Sequence, residues 1–253
     1  MAEHTTKGSD HAGFYVGYLP TPRSHRLFLS VMIPVLGVLI LGGSALLASR
    51  QRDPGATIVV TGTMESWTGT AFMDPYPMLV TDSGESHLVM GLGKFSVADR
   101  VEPFDGRRCV IDGWRLQRGD RRGIQLALEP DAIRAIDGAA MPQPSRSSGQ
   151  PIEIIGEIVD GKCHIGAMKP GDGKAHKSCA ILCISGGLPP LFSPLDSDGF
   201  DSLPLVLIDG SSALPDSIIK LAGEPVVIRG VLSRQGTLEV IETSADQIER
   251  WTP

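Results

Sequence analysis

Gly106-Arg107-Arg108-Cys109-Val110-Ile111-Asp112-Gly113 and Gly223-Glu224-Pro225-Val226-Val227-Ile228-Arg229-Gly230 each set a β-type apolar run between two glycines, at an offset of 117 residues. Each run is followed by a basic-Gly turn and a second apolar run that ends in Glu129 or Glu242. The regions also open alike, Ile58-Val59-Val60-Thr61-Gly62-Thr63-Met64 against Ile152-Glu153-Ile154-Ile155-Gly156-Glu157-Ile158, at an offset of 94. Two copies of one module are therefore expected, the second 23 residues longer than the first. Short runs at 57–61, 78–81, 87–90, 108–114 and 124–128, punctuated by Gly, Pro and Asp, have the spacing of a small antiparallel barrel. Five strands per copy fit an OB-like barrel, so the expected fold is mainly β: two OB-like modules, the second carrying an inserted Cys/His loop and helix. A short helix is also expected at 244–250.

Upstream of the modules, residues 27–49 run for 23 positions without a charge. At about 1.5 Å per residue that is enough to cross a hydrocarbon core of about 30 Å. Pro34 and Gly42-Gly43-Ser44 are compatible with a membrane helix. Small residues in Ala45-Leu46-Leu47-Ala48-Ser49 raise the alternative of a cleaved signal, but the n-region and the apolar run are both longer than a signal peptide uses, so a retained anchor is expected.

The expected order is a short cytoplasmic tail (1–26), a transmembrane helix (27–49), a first β module (56–137), a Pro/Ser/Gly linker (138–151) and a second β module (152–253) whose insertion covers 161–187. The body is expected on the extracytoplasmic, periplasmic side of a bacterial inner membrane, although Lys7, Arg23 and Arg26 before the span and Arg50 and Arg52 after it give little charge bias. Tyr15 and Tyr18, near the membrane entry, read as headgroup anchors or as a docking point for a neighbouring membrane subunit. A net charge of −6, 5% aromatic residues and no basic patch interleaved with aromatics argue against a nucleic-acid partner.

The insertion holds three of the four cysteines and two of the six histidines, as Cys163-His164, then His176, Cys179 and Cys183. From Lys174 to Ile184 a short helix is expected, stopped by Gly186-Gly187, which puts His176, Cys179 and Cys183 on one face at i, i+3 and i+7. With Cys163 or His164 returning from the preceding loop, such a face can hold Zn²⁺, or Cu⁺ with help from Met168. Two other readings stand beside the metal site: a disulfide among Cys163, Cys179 and Cys183, and a reactive thiol at the helix. Cys109, in a β run of the first module, reads as a core thiol.

Other chemistry is poorly supported. Asp196, Asp198 and Asp201 read as a solvated turn in preference to a calcium loop. His87 reads as a surface or cross-strand residue. No Gly-x-Ser-x-Gly elbow, P-loop, dinucleotide fingerprint or Cys-x-x-Cys-His haem motif is present.

Gly156-Glu157-Ile158-Val159-Asp160, Cys163, His176-Lys177-Ser178-Cys179-Ala180, Cys183 and Gly186-Gly187-Leu188-Pro189 together resemble a module of exported bacterial proteins without an assigned function. That resemblance covers about 35 residues and implies an exported body. An anchor followed by an OB-like barrel is also similar in architecture to the haem chaperones of cytochrome c maturation, but their His-x-x-x-Tyr attachment motif is absent. The expected role is a non-catalytic accessory or assembly subunit of a membrane redox or metal-handling system, working with another membrane or extracytoplasmic protein. A thiol-disulfide oxidoreductase and a disulfide-stapled interaction module are the alternatives.

Overall fold

The computed structural model describes residues 23–50, 57–59, 63–118, 121–195 and 203–252. Residues 1–22 and the stretch read as a solvated turn, with Asp196, Asp198 and Asp201, lie outside the described residues. The chain divides into an N-terminal unit, 1–53, and a body, 54–253.

In the first unit, α1 (Arg23–Arg50) is one helix with Pro34 inside it. Its stretch His25–Arg50 is long and apolar enough to cross a membrane. Two of its hydroxyls bond within the helix: Ser30 Oγ donates to the Leu27 carbonyl and Ser49 Oγ to that of Leu46, both at 2.8 Å.

The body contains two closed five-stranded barrels. In the first, β1 (Thr57–Val59) precedes β2 (Glu65–Phe72), β3 (Met78–Thr81), β4 (Ser86–Met90), a short helix α2 (Ala98–Val101), β5 (Arg108–Arg118), β6 (Arg121–Leu126) and β7 (Ile133–Ala135). The ring runs β5-β2-β3-β4-β6 and closes through β5–β6. In the second, β8 (Gln150–Asp160), α3 (Gly173–Ser185), β9 (Pro190–Pro194), β10 (Leu205–Ile208), α4 (Asp216–Ile219), β11 (Pro225–Gln235), β12 (Leu238–Thr243) and β13 (Ile248–Arg250) give the ring β11-β8-β9-β10-β12, closed through β11–β12. Both rings have the OB order, with the third strand beside the fifth. That pair is parallel in each barrel, β4 with β6 and β10 with β12, while the other ring pairs are antiparallel.

The register corrects the opening half of the repeat. Gly113 pairs with Glu65 and its counterpart Gly230 pairs with Ile152, so the first strands are equivalent at an offset of 87. Ile58 belongs to β1, which pairs with the far end of β5. The first strand of barrel one is thus split in two, where barrel two keeps it whole as β8. Gly69 and Gly156, equivalent in this register, lie at close strand approaches. A Cβ at Gly69 would sit 2.2 Å from the Val80 carbonyl oxygen, and one at Gly156 2.5 Å from that of Ser193. The helix expected at 244–250 is instead a single 3₁₀ turn, Ala245–Gln247, leading into β13, whose Ile248 pairs with Ile228.

Several strands bury both faces, which is why they read as unbroken apolar runs. Leu79 and Val89 fill barrel one, and Val206 and Ile241 fill barrel two. The alternate residues Met78, Val80, Leu88 and Met90 meet Leu205, Leu207 and Val240 in a third cluster between the barrels. The segment 138–149 is tied to both barrels. Met141 N donates to Thr70 Oγ1 at 2.8 Å, Arg146 reaches Glu242 Oε2 at 2.7 Å, and Ser147 N donates to the Arg234 carbonyl at 2.8 Å. The insertion connects the first and second strands of barrel two and packs into the cluster between the barrels through Cys163, Ile165, Cys183 and Leu188.

Candidate metal centre

β8 delivers Asp160 to the inter-barrel core, where its side chain is fully buried. A carboxylate without water needs donors, and two are present: Cys163 N–H donates to Oδ1 at 2.8 Å, and His176 Nε2 lies 2.9 Å from Oδ2. The first of these bonds folds the chain back on itself directly after the strand. It continues as a π-helical turn, Cys163–Ala167, that aims the Cys163 thiol inward.

α3 begins at Gly173, whose N–H donates to Glu157 Oε2 at 2.7 Å, so that a carboxylate meets the positive end of the helix. It ends where Gly187, at φ 86°, allows Leu188 N to reach back to the Cys183 carbonyl at 3.0 Å. Between these ends the inward face carries His176, Ala180, Cys183 and Ile184, with Cys179 half-buried beside them.

Cys163 Sγ and Cys179 Sγ are 4.0 Å apart, and Cys179 Sγ and Cys183 Sγ 3.9 Å. With a carboxylate oxygen of Asp160 they form a group of four donors all within 4.8 Å of one another. Zn–S bonds of about 2.3 Å in tetrahedral geometry place sulfurs about 3.8 Å apart, so this spacing suits one four-coordinate ion. An S–S bond of about 2.05 Å is half the observed separation. None of the four cysteines is in a disulfide, and the pairing expected among Cys163, Cys179 and Cys183 is absent from this structure.

Barrel one contributes the remaining charge. Lys94, in the loop after β4, donates from Nζ to Cys179 Sγ at 2.8 Å and to Cys183 Sγ at 3.5 Å. The loop is clamped to the insertion at several points. Lys162 Nζ donates to the carbonyls of Leu92, at 2.7 Å, and Gly93. Ser96 N donates to the Gly186 carbonyl at 2.7 Å, and from the β2–β3 connection Tyr76 Oη donates to that of Gly187 at 3.0 Å. Gly186 is required here, because a Cβ would lie 1.7 Å from the Lys94 carbonyl oxygen.

The electrostatics follow from these contacts. Hydrogen bonding from Cys163 holds the Cys183 thiol below the ordinary cysteine range, opposed by burial and the Asp160 carboxylate and assisted by the Lys94 charge. Cys163 itself is pushed well up by that same hydrogen bond, by burial and by the Asp160 carboxylate. The hydrogen bond to Cys179 holds the Lys94 ammonium charged above the usual lysine range.

Of the five residues expected from sequence, Cys163, Cys179 and Cys183 come together and the histidines stand outside the donor group. His176 supports Asp160 from behind. His164 turns to the other side, with Nδ1 3.4 Å from the Gly171 carbonyl, and its pKa falls to about 4 through burial and the neighbouring Arg118. Met168 is 48% exposed and takes no part. Two residues were missed, Asp160 and Lys94. Asp160 was visible as the acid three positions before Cys163, whereas Lys94 has no local signal. Cys109 is buried in barrel one, as expected of a core thiol, and burial raises its pKa to about 11.

Comparison with protein-family models, with curated proteins and with solved structures yields no match to this chain.

Proposed function

We propose that this protein is a membrane-anchored accessory subunit of a metal-handling system, and that it holds one thiophilic ion, Zn²⁺ or Cu⁺, between Asp160, Cys163, Cys179 and Cys183. The reading rests on the convergence of those four ligand atoms within 4.8 Å. Thiolates are the ligands both ions favour, and a ligating carboxylate held from behind by a hydrogen bond, as His176 holds Asp160, is a common supporting arrangement. Four donors from two adjoining segments complete a tetrahedron with no position left for substrate, which suits a holding role over a catalytic one.

The oxidoreductase alternative has one observation in its favour, the lowered pKa of Cys183. A thiolate that exchanges with protein disulfides must be reachable, however: Cys183 has no exposed surface, and the cluster's partly exposed thiol belongs to Cys179 instead. Anchoring by α1, with the tail cytoplasmic and the body extracytoplasmic, is part of the proposal, as is a partner in or beside the membrane that supplies or receives the ion.

The test is metal content of the full chain in detergent, reduced and loaded without oxygen, beside a chain carrying Cys163→Ser, Cys179→Ser and Cys183→Ser. One ion per wild-type chain and none in the variant is the expected result. Equal metal in both, or none in either, would overturn the reading.

A further inference from the structure

We propose that Lys94 and Cys179 form a peroxide-reactive pair, and that oxidation joins them by an S–N bond that ties barrel one to barrel two. The observation behind this is the 2.8 Å contact between Lys94 Nζ and Cys179 Sγ, close even for a nitrogen donor to oxygen and closer still for the larger sulfur. Accessibility selects the same pair. Cys163 and Cys183 are buried, whereas Cys179 and Lys94 are both partly exposed, so a small oxidant meets Cys179 first.

The chemistry closes with groups already in contact. The Cys179 thiolate attacks one oxygen of hydrogen peroxide and the O–O bond breaks. The Lys94 ammonium gives its proton to the departing hydroxide, which leaves as water. Sulfur is oxidised by two electrons to the sulfenic acid, peroxide is reduced, and Lys94 is left as a neutral amine beside the new electrophile. The amine nitrogen then attacks sulfur, the S–OH bond breaks, and a second water leaves. In sum, thiolate, ammonium and one peroxide give a sulfenamide and two waters.

Competing traps are disfavoured by position. Cys183 stands four residues along the same helix, where Cβ atoms are about 5–6 Å apart, but a disulfide needs about 3.5–4.5 Å. Cys163 is buried in the inter-barrel cluster and its sulfur is 4.0 Å from that of Cys179, farther than the Lys94 nitrogen. Lys94 is also nearer than either sulfur.

This inference does not need the metal reading, although the two share Cys179. The test treats the reduced, metal-free full chain in detergent with one equivalent of hydrogen peroxide, then maps it by mass after trypsin. The expected product has lost about two daltons, joins the peptides holding Lys94 and Cys179, resists cleavage after Lys94, and reverts with a dithiol reductant. Lys94→Met and Lys94→Arg chains should lose the link and instead give a Cys179 sulfenic acid that a dimedone probe captures. A Cys163–Cys179 disulfide with Lys94 still cleavable, or a Cys179 that stays reduced, would overturn the proposal. Prior loading with Zn²⁺ separates the two readings: protection supports a metal at Cys179, and an unprotected link refutes the metal while leaving the pair intact.

Discussion

Replacing Gly186 by Ala adds one methyl group at the seam between the barrels, and two opposing effects decide its sign. The backbone there, φ −81° and ψ 1°, is open to alanine, so restricting the unfolded chain would favour the variant by about 0.4–1 kcal/mol. Against this, the new Cβ would lie 1.7 Å from the Lys94 carbonyl oxygen and 2.9 Å from its carbon, both backbone atoms that cannot rotate away. The loop must retreat by about 1.7 Å to restore ordinary contact, which carries the Ser96 N to Gly186 O bond from 2.7 Å beyond hydrogen-bonding range. Overpacking costs about 1–3 kcal/mol and the lost bond about 0.5–1.5 kcal/mol, so sterics win by about 0.5–4 kcal/mol. For a body of this size that is a fall in Tm of roughly 1–16 °C. Thermal unfolding of the detergent-solubilised chain measures it, and the Lys94–Cys179 cross-link should fall in parallel because Lys94 moves with its loop. An alanine chain with unchanged or higher Tm and undiminished cross-linking would refute the docking of this loop on α3.

Further outcomes follow from the same contacts. His176→Ala should weaken Zn²⁺ binding roughly 10–100-fold in a chelator competition, since Asp160 then loses the group that orients it. His87 is buried in β4 near Glu85, Arg115 and Arg122, and burial lowers its pKa below 6.5. The unfolded chain therefore binds the proton more readily, so stability should decline as pH falls below about 6.5, and His87→Gln should flatten that slope in urea titrations at successive pH values. Iodoacetamide at pH 8 should label Cys179 before Cys109, which is buried with its pKa raised to about 11, and Cys109→Ala should leave metal content unchanged.

Composition and local pattern were enough to read some of this molecule and not the rest. An uncharged run of membrane length can hardly be anything but one apolar helix, and α1 follows it. Met78-Leu79-Val80 announces a strand because both of its faces are buried. β2, Glu-Ser-Trp-Thr-Gly-Thr-Ala-Phe, lacks such a run: Gly69 and Ala71 are small where strands crowd, and the more aliphatic Ile58-Val59 took its place in the repeat. At 244–250 spacing alone suggested a helix, but pairing of Ile248 with Ile228 wins. Cys179 and Cys183 were legible together because a helix converts spacing into a face, with Cys163 returning from the preceding loop. Lys94 was not, because its role comes from the docking of two barrels and it stands 85 positions before Cys179 in the chain. The histidines misled for the converse reason: adjacency in sequence put His164 beside Cys163, while the π turn sends its ring to Gly171.

The central claim is that one ion sits among three sulfurs and one carboxylate, and X-ray absorption on the zinc-loaded full chain tests it most directly. The account predicts a shell of three sulfurs at about 2.3 Å with one oxygen at about 2.0–2.2 Å, reduced to two sulfurs in Cys179→Ser. A first shell of nitrogen and oxygen alone, or one unaltered by Cys179→Ser, would contradict it.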